Sequence, residues 1–174
     1  MILPLLLSTF AAGMIATAIM VFFLYLPRLW DAPTYDVMGA LGSAITGNEG
    51  QRARFMGTTT YFLVGILFAL LYGWIVMAML DSPRSISLPR WSVLAEAPLE
   101  IDLLFPLFGA LVGLVHGIVV ALLVTIVVIE HHPIPKYRSR VQLIPSQVLA
   151  HVIFGATVMF FHHQFLQLLL GQAT

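Results

Sequence analysis

Residues 105–129 read FPLFGALVGLVHGIVVALLVTIVVI, a run without a single Asp, Glu, Lys or Arg. A helix needs roughly 20 apolar residues to cross the hydrocarbon core of a bilayer, so this run predicts a transmembrane helix. Three other runs share its length and lack of charge: Leu3–Leu26, Gly57–Leu80 and Ser146–Leu170. Together with Phe105–Ile129 they predict an all-α bundle of four transmembrane helices, forming a single domain over residues 1–174.

The composition agrees with a membrane environment. Only 9% of the 174 residues are charged, whereas a soluble domain usually carries about 25%. All eight basic and all eight acidic residues fall outside the four predicted spans. The net charge is zero, which gives no indication of a nucleic-acid partner. The absence of cysteine excludes disulfides, iron–sulfur clusters and c-type haem attachment.

The distribution of Lys and Arg between the loops predicts the orientation. The first and third loops share six basic residues: Arg28, Arg52, Arg54, Lys136, Arg138 and Arg140. The second loop has only Arg84 and Arg90. Basic loops stay on the cytoplasmic side, so we expect loops 27–56 and 130–145 in the cytoplasm and both termini outside. The first span has no basic n-region and is too long for a secretory signal, so we expect a retained anchor in the bacterial cytoplasmic membrane.

Each loop carries a local structural signal. In the first, four apolar residues at helical spacing follow a possible N-cap at Thr34 and end before Gly47: Val37, Met38, Leu41 and Ile45. They predict a short amphipathic helix at the membrane interface. In the second, Pro89, Trp91 and Pro98 predict a segment resting on the headgroups.

The third loop contains Pro133 and Pro135 and is too short for a crossover. It therefore predicts that the third and fourth spans form an antiparallel pair.

Small residues form stripes on the predicted helices. The third span carries Gly109, Gly113 and Gly117, the second carries Gly65, Ala69 and Gly73, and the fourth carries Gly155. In lipid, helices associate through close packing over such residues, so the stripes predict helix–helix contacts. The alternatives are space for a flat cofactor, or a pore lined by Gly109, Gly113 and Gly117.

Two hairpins of similar pattern are suggested by matching motifs. Gly13-x-x-x-Thr17 in the first span matches Gly113-x-x-x-Gly117 in the third. Tyr61-x-x-x-Gly65 in the second matches His151-x-x-x-Gly155 in the fourth. The bundle could therefore consist of two repeated helical hairpins.

The chain carries five short motifs: Ala11-Ala12-Gly13-x-x-Ala16-Thr17, Asp36 with Leu41-Gly42, Gly65-x-x-Phe68-Ala69-x-x-Tyr72, Gly113-x-x-His116-Gly117 and His151-x-x-x-Gly155. Together they resemble the motifs of a family of small four-helix bacterial membrane proteins with no assigned function. The resemblance implies the four-helix fold and no activity. Near Tyr61 that family frequently has His, so the chain departs from its pattern there.

Histidines are the candidate functional residues. His116 lies near the middle of the third span, on the face of Gly109 and Gly113, while His151 and His162 share a face of the fourth. Counted from the outer ends of their spans, His116 and His162 differ in depth by only about 5 Å. They could therefore face each other as ligands of b-type haem or of a chlorophyll-type pigment, with His151 as a further ligand. The alternative is a neutral His116 that hydrogen-bonds a neighbouring carbonyl or hydroxyl. We expect His131 and His132, beside a basic loop, to be solvated.

No set of residues suits catalysis, and the predicted spans contain no carboxylate or basic side chain for ion coupling. The sequence therefore predicts a non-catalytic integral subunit or accessory protein of a larger membrane complex, plausibly respiratory or photosynthetic. Its expected partners are lipid and other integral subunits. Association with copies of itself as a homo-oligomer is an alternative. The alternatives are a haem- or pigment-binding electron-transfer protein and a small oligomeric pore or carrier.

Overall fold

The computed structural model describes residues 2–80, 92–93, 101–138 and 143–171. Four long helices dominate: α1 (Ile2–Tyr25), α3 (Gln51–Leu80), α4 (Leu104–Leu123) and α5 (Leu143–Gly171). The shorter elements are a 3₁₀ turn (Leu26–Trp30), the helix α2 (Val37–Thr46), a π-helix (Val124–Ile129) that continues α4, and a second 3₁₀ turn (Pro135–Arg138).

All four predicted spans are confirmed as helices long and apolar enough to cross a membrane. The chain is therefore a multi-pass, all-α membrane protein. The largest difference lies at the start of the second span, because α3 begins at Gln51 rather than at Gly57. Arg52 and Arg54 thus belong to the first turn of a helix and not to a loop.

Helices α1 and α5 form the centre of the bundle. They pack against each other, while α3 packs on α1 and on the short helix α2, and α4 packs on α5. Helices α3 and α4 lie on opposite sides of the α1–α5 pair and approach each other only through side chains such as Tyr72 and His116. Because their backbones are not packed together, the bundle is open on the side between α3 and α4.

The most extensive helix contact joins α4 to α5. A Cβ atom at Gly113 would overlap the carbonyl oxygen of His151, and one at Gly109 would overlap that of Gly155. Gly117 lies against Val148 and the Cβ of His151. Residue numbers rise on α4 as they fall on α5, which confirms the antiparallel pair. Because the backbone of α5 occupies this face, the suggestions that it lines a pore or holds a flat cofactor are wrong.

The α1–α3 contact uses the second stripe, but here the glycines meet side chains of the neighbouring helix. A Cβ at Gly65 would overlap Thr17, one at Gly73 would overlap Thr9, and Gly13 lies against Ala69. The helix-contact prediction is thus confirmed for this stripe also.

The two hairpins differ in register. Gly13 faces Ala69 in the first, whereas Gly113 faces His151 in the second, and the motif comparison aligned His151 with Tyr61. The two hairpins therefore share residue types at matching motif positions, but their helices are aligned differently along each other.

The predicted helix of the first loop is confirmed as α2, with two differences. Its N-cap is Asp36, whose side chain accepts from the Gly39 N–H, and not Thr34, which accepts from Arg28. Moreover, α2 does not merely rest on the interface. It docks on α3, where a Cβ at Gly42 would overlap the Ala53 carbonyl. At its end Gly47 has φ 68°, a left-handed conformation that favours glycine.

The π-helix widens the end of α4. The Thr125 hydroxyl donates to the Ala121 carbonyl (2.7 Å), and the Glu130 N–H reaches back five residues to Thr125. Ile129 is fully buried and packs with Val37 of α2. The π-helix thus joins α4 to the first loop.

Part of the second loop is described. Strands β1 (Ser92–Val93) and β2 (Ile101–Asp102) pair in antiparallel fashion. The predicted headgroup segment around Pro89, Trp91 and Pro98 lies outside the described residues.

Gly113→Leu should separate α4 from α5, because a larger side chain would enter the backbone of α5. Overpacking of this kind costs about 1–3 kcal/mol, so we expect a clear fall in the thermal unfolding midpoint in detergent. Val115→Leu, on the exposed side of α4, is the matched control and should change little. An unchanged midpoint for Gly113→Leu would contradict the close α4–α5 contact.

Candidate functional site

An apolar cavity lies in the open side of the bundle, between α3 and α4. Its volume is about 170 Å³. Residues from five segments line it, chiefly Tyr61, Val64 and Phe68 of α3, His116 and Val120 of α4, His151 and Phe154 of α5, Met20 of α1, and Tyr35 and Ala40 at the loop end. In this cavity, polar side chains and apolar space meet between the membrane-spanning helices.

Two histidines meet on the wall of this cavity. The rings of His116 and His151 are 4.9 Å apart between centroids, edge to face. Phe68 packs on the His116 ring at 3.9 Å between centroids. The Tyr72 hydroxyl lies 3.3 Å from His116 Nδ1. The sequence prediction named His116 and His151 as site residues, but Phe68 and Tyr72 only as parts of a motif.

One hydrogen bond indicates where the His151 ring carries its proton. His151 Nδ1 lies 2.7 Å from the Gln147 carbonyl oxygen, which can only accept, so Nδ1 donates and the lone pair lies on Nε2. The Tyr72 hydroxyl and His116 Nδ1 form a hydrogen bond in which either group can be the donor, according to the tautomer of the ring. His116 Nε2 is buried and has no hydrogen-bond partner among the described residues.

His162 does not face His116, and this part of the sequence prediction is wrong. His162 Nδ1 instead lies 2.9 Å from the Ser8 hydroxyl, joining α5 to α1. The α5 residue level with His116 is near Val148, because Gly117 lies against Val148. His162 is about 14 residues further along α5, or about 21 Å. The depth estimate failed because it assumed that the outer ends of α4 and α5 are level.

These positions bear on the haem hypothesis. His116 and His162 are too far apart to ligate one iron, and His116 and His151 touch directly, which leaves no space for a macrocycle between their rings. Among the described residues, no group of three or more His, Asp or Glu could hold a metal ion.

A polar cap closes the cavity at the loop end, and His132 is at its centre. Its side chain is 1% exposed, so the prediction that it is solvated is wrong. Nδ1 accepts from the Ile134 N–H (3.0 Å), and Nε2 donates to the Ala40 carbonyl (2.9 Å). The ring thereby links the third loop to α2. The physical reason is that the proline-stiffened loop turns back over the bundle, which places the imidazole away from solvent.

Asp36 organises the other half of the cap. It accepts from Arg54 Nη2 (2.6 Å), from the Tyr25 hydroxyl (3.0 Å) and from the Gly39 N–H (3.1 Å). Burial acts to raise the pKa of Asp36, but these hydrogen bonds and the Arg54 charge outweigh burial and hold the pKa below its usual value. The carboxylate is thus charged when it caps α2.

The cap also connects the first loop to the third. The Tyr35 hydroxyl donates to the Tyr137 carbonyl (2.7 Å), and an exposed ion pair joins Glu49 to Lys136. Burial raises the pKa of the Tyr35 phenol well above its usual value. Because Tyr35 and Ala40 also line the cavity, the cap determines where the cavity ends.

No protein-family model matches the chain, and neither a curated protein nor a solved structure matches it. The resemblance stays a prediction.

Asp36→Asn should remove the pH dependence that this cap gives to stability. A carboxyl with a lowered pKa stabilises the fold above its unfolded pKa of about 3.9 and loses that effect as the pH falls through its folded pKa. We therefore expect the thermal unfolding midpoint of the wild type to decrease when the pH is lowered below about 4. The variant keeps an N-cap residue. Its free energy of unfolding at pH 7 should be lower by about 1 kcal/mol, a small loss because the Arg54 partner is exposed and its charge is screened by solvent.

The measurement is thermal unfolding in detergent between pH 3 and pH 7. Glu49→Gln is the matched control, since its ion pair is exposed. If the variant and the wild type showed the same acid dependence, the role assigned to Asp36 would be wrong.

Proposed function

We propose that the chain is a non-catalytic integral subunit of a larger membrane complex, with α4 as the helix that contacts a partner subunit. The proposal is supported by the small size of the α4 residues that are buried in the bundle. From Leu104 to Leu123 its only buried residues are Gly109, Gly113, Gly117 and Ala121. The helix thus contributes its backbone to the bundle and no fully buried large side chain.

The outward side of α4 supports a helical partner. Leu111, Val115, Ile118 and Leu122 recur at spacings of four, three and four, and each is about half exposed or more. This spacing places branched side chains in one row that can interlock with a second helix. Such a row supplies the van der Waals contact on which helix association in lipid depends.

The test is the size of the protein after extraction from its native membrane in mild detergent. We expect an assembly well above the 19.2 kDa of the chain. Val115→Trp should release the chain from the assembly, because the larger ring disrupts an interlocked row. Leu7→Trp, a similar change at an exposed position of α1, should leave the assembly intact. A wild-type chain that migrates alone, or only with copies of itself, would contradict the proposal.

The orientation belongs to the same proposal, with loops 27–56 and 130–145 in the cytoplasm of a bacterial cell and both termini outside the inner membrane. Its support is the excess of Lys and Arg in residues 27–56 and 130–145. The two segments are joined in the polar cap by the Tyr35–Tyr137 and Glu49–Lys136 contacts.

Single cysteines in this cysteine-free chain test the orientation directly. We expect a cysteine at Asn48 to resist a membrane-impermeant maleimide in intact cells, and a cysteine added at the C-terminus to react. Lysed cells, in which both should react, are the control. The reverse labelling pattern would overturn the orientation.

The alternative of a haem- or pigment-binding protein has less support, because His116 and His162 lie far apart along the helices. A Soret or chlorophyll band in the purified protein that His116→Phe abolishes would revive it.

A further inference from the structure

The cavity between α3 and α4 is elongated along the helices. Its lining on α3 runs from Thr60 to Phe68, and its lining on α4 runs from His116 to Val124, with Val128 following in the π-helix. A stretch of eight residues in a helix is about 12 Å long. The cavity is therefore a groove parallel to the membrane-spanning helices, and we call it the α3–α4 groove.

The groove opens sideways toward the lipid. Helices α3 and α4 scarcely pack on each other, and Val64 on the rim is 41% exposed while Val120 opposite it is half-buried. At one end Phe68 packs on the His116 ring, and at the other end the polar cap closes the groove. A ligand therefore enters from the bilayer, between the two helices.

The lining favours hydrocarbon over water or a polar ligand. It is almost wholly apolar. The His116 nitrogens are not available there, because Nε2 is buried and Nδ1 is hydrogen-bonded to Tyr72. A water molecule needs two to four polar partners to occupy a cavity. An empty groove would leave its wall atoms without van der Waals partners on one side, and a hydrocarbon chain restores those contacts.

The length and depth of the groove match one leaflet of a bilayer. The hydrocarbon core is about 30 Å thick, so an acyl chain of one leaflet reaches about 15 Å from its headgroup. The groove begins at the cap and ends at His116, in the middle of the span Leu104–Ile129. It therefore suits a chain that descends from the leaflet on the side of the cap.

The charge of the cap indicates the headgroup. Residues 27–56 and 130–145 contain six basic and four acidic side chains, and two of the acidic ones, Asp36 and Glu49, are paired with Arg54 and Lys136. An excess of basic residues at the membrane surface attracts anionic lipids. Because the cap bounds the groove, a lipid with its chain in the groove has its headgroup beside this excess positive charge.

We propose that the α3–α4 groove binds one acyl chain of an anionic phospholipid, with the methyl end near Phe68 and His116 and the phosphate beside the cap. The groove uses Val120 and Val124 on α4, whereas the proposed subunit contact uses another row on that helix: Leu111, Val115, Ile118 and Leu122. The two proposals can therefore fail separately.

The experiment uses the full chain in nanodiscs of phosphatidylcholine. The probe is a low fraction of phosphatidylglycerol with a photoreactive diazirine on its acyl chain, and mass spectrometry locates the crosslinks. We expect labelling of Val124 that saturates as the fraction of the probe rises, whereas labelling of Leu67, on the exposed side of α3, should rise in proportion. The matched probe has the same chain on phosphatidylcholine. It should label Val124 about fivefold less at equal fraction, for a phosphate near about one basic side chain.

Variants locate the site. Val120→Phe and Val64→Phe each place a ring in the groove, so each should reduce labelling of Val124 to the level of Leu67. Leu63→Phe is the matched control, because Leu63 is next to Val64 but is 58% exposed and points away from the groove. It should leave the labelling unchanged. Circular dichroism shows which variants are folded.

Three results would overturn the proposal. The first is labelling of Val124 in the wild type that does not saturate and does not exceed that of Leu67, a result that needs no variant. The second is equal labelling of Val124 by the two probes, which would remove the anionic lipid. The third is a folded Val120→Phe or Val64→Phe protein that is labelled as the wild type is.

Discussion

The direct contact of helix backbones at glycine is the constraint on which this structure depends. Lipid tails are as apolar as leucine, so burial of apolar side chains cannot hold these helices together. At Gly109 and Gly113 the backbone of α5 lies where a Cβ atom would be, and at Gly65 the Thr17 side chain of α1 does. Van der Waals attraction across these close contacts replaces the hydrophobic effect of a soluble core, and it sets the distance and the register of the α4–α5 and α1–α3 pairs.

The open side of the bundle follows from where those glycines lie. The stripe on α4 faces α5 and the stripe on α3 faces α1, so α3 and α4 have no such contact with each other. The space between them is filled by side chains of ordinary size, and it is left incompletely filled beside His116. The cavity is thus a consequence of helix pairing elsewhere, and the outward face of α4 is free for the same reason.

Polar groups hold the loop end of the bundle where glycine contacts alone would not. Asp36 caps α2 and binds Arg54 of α3, while His132 joins the third loop to α2 through buried hydrogen bonds. The bond between His132 and Ala40 lies away from bulk water, so either atom left without its partner would be costly, whereas the Arg54 guanidinium is exposed. These hydrogen bonds connect the short segments into a cap, which in turn bounds the cavity through Tyr35 and Ala40.

The sequence by itself determined the four spans, the short helix of the first loop (though not its N-cap) and the use of the small-residue stripes, because each depends on local periodicity and on the insolubility of charge in lipid. It also indicated His116 and His151 as candidate site residues. Only the tertiary structure decided that His116 meets His151 and not His162, and that His132 is buried. The physical reason is register. The offset of α5 along α4 is set by which glycine meets which carbonyl, and neither the length of a span nor its composition contains that offset.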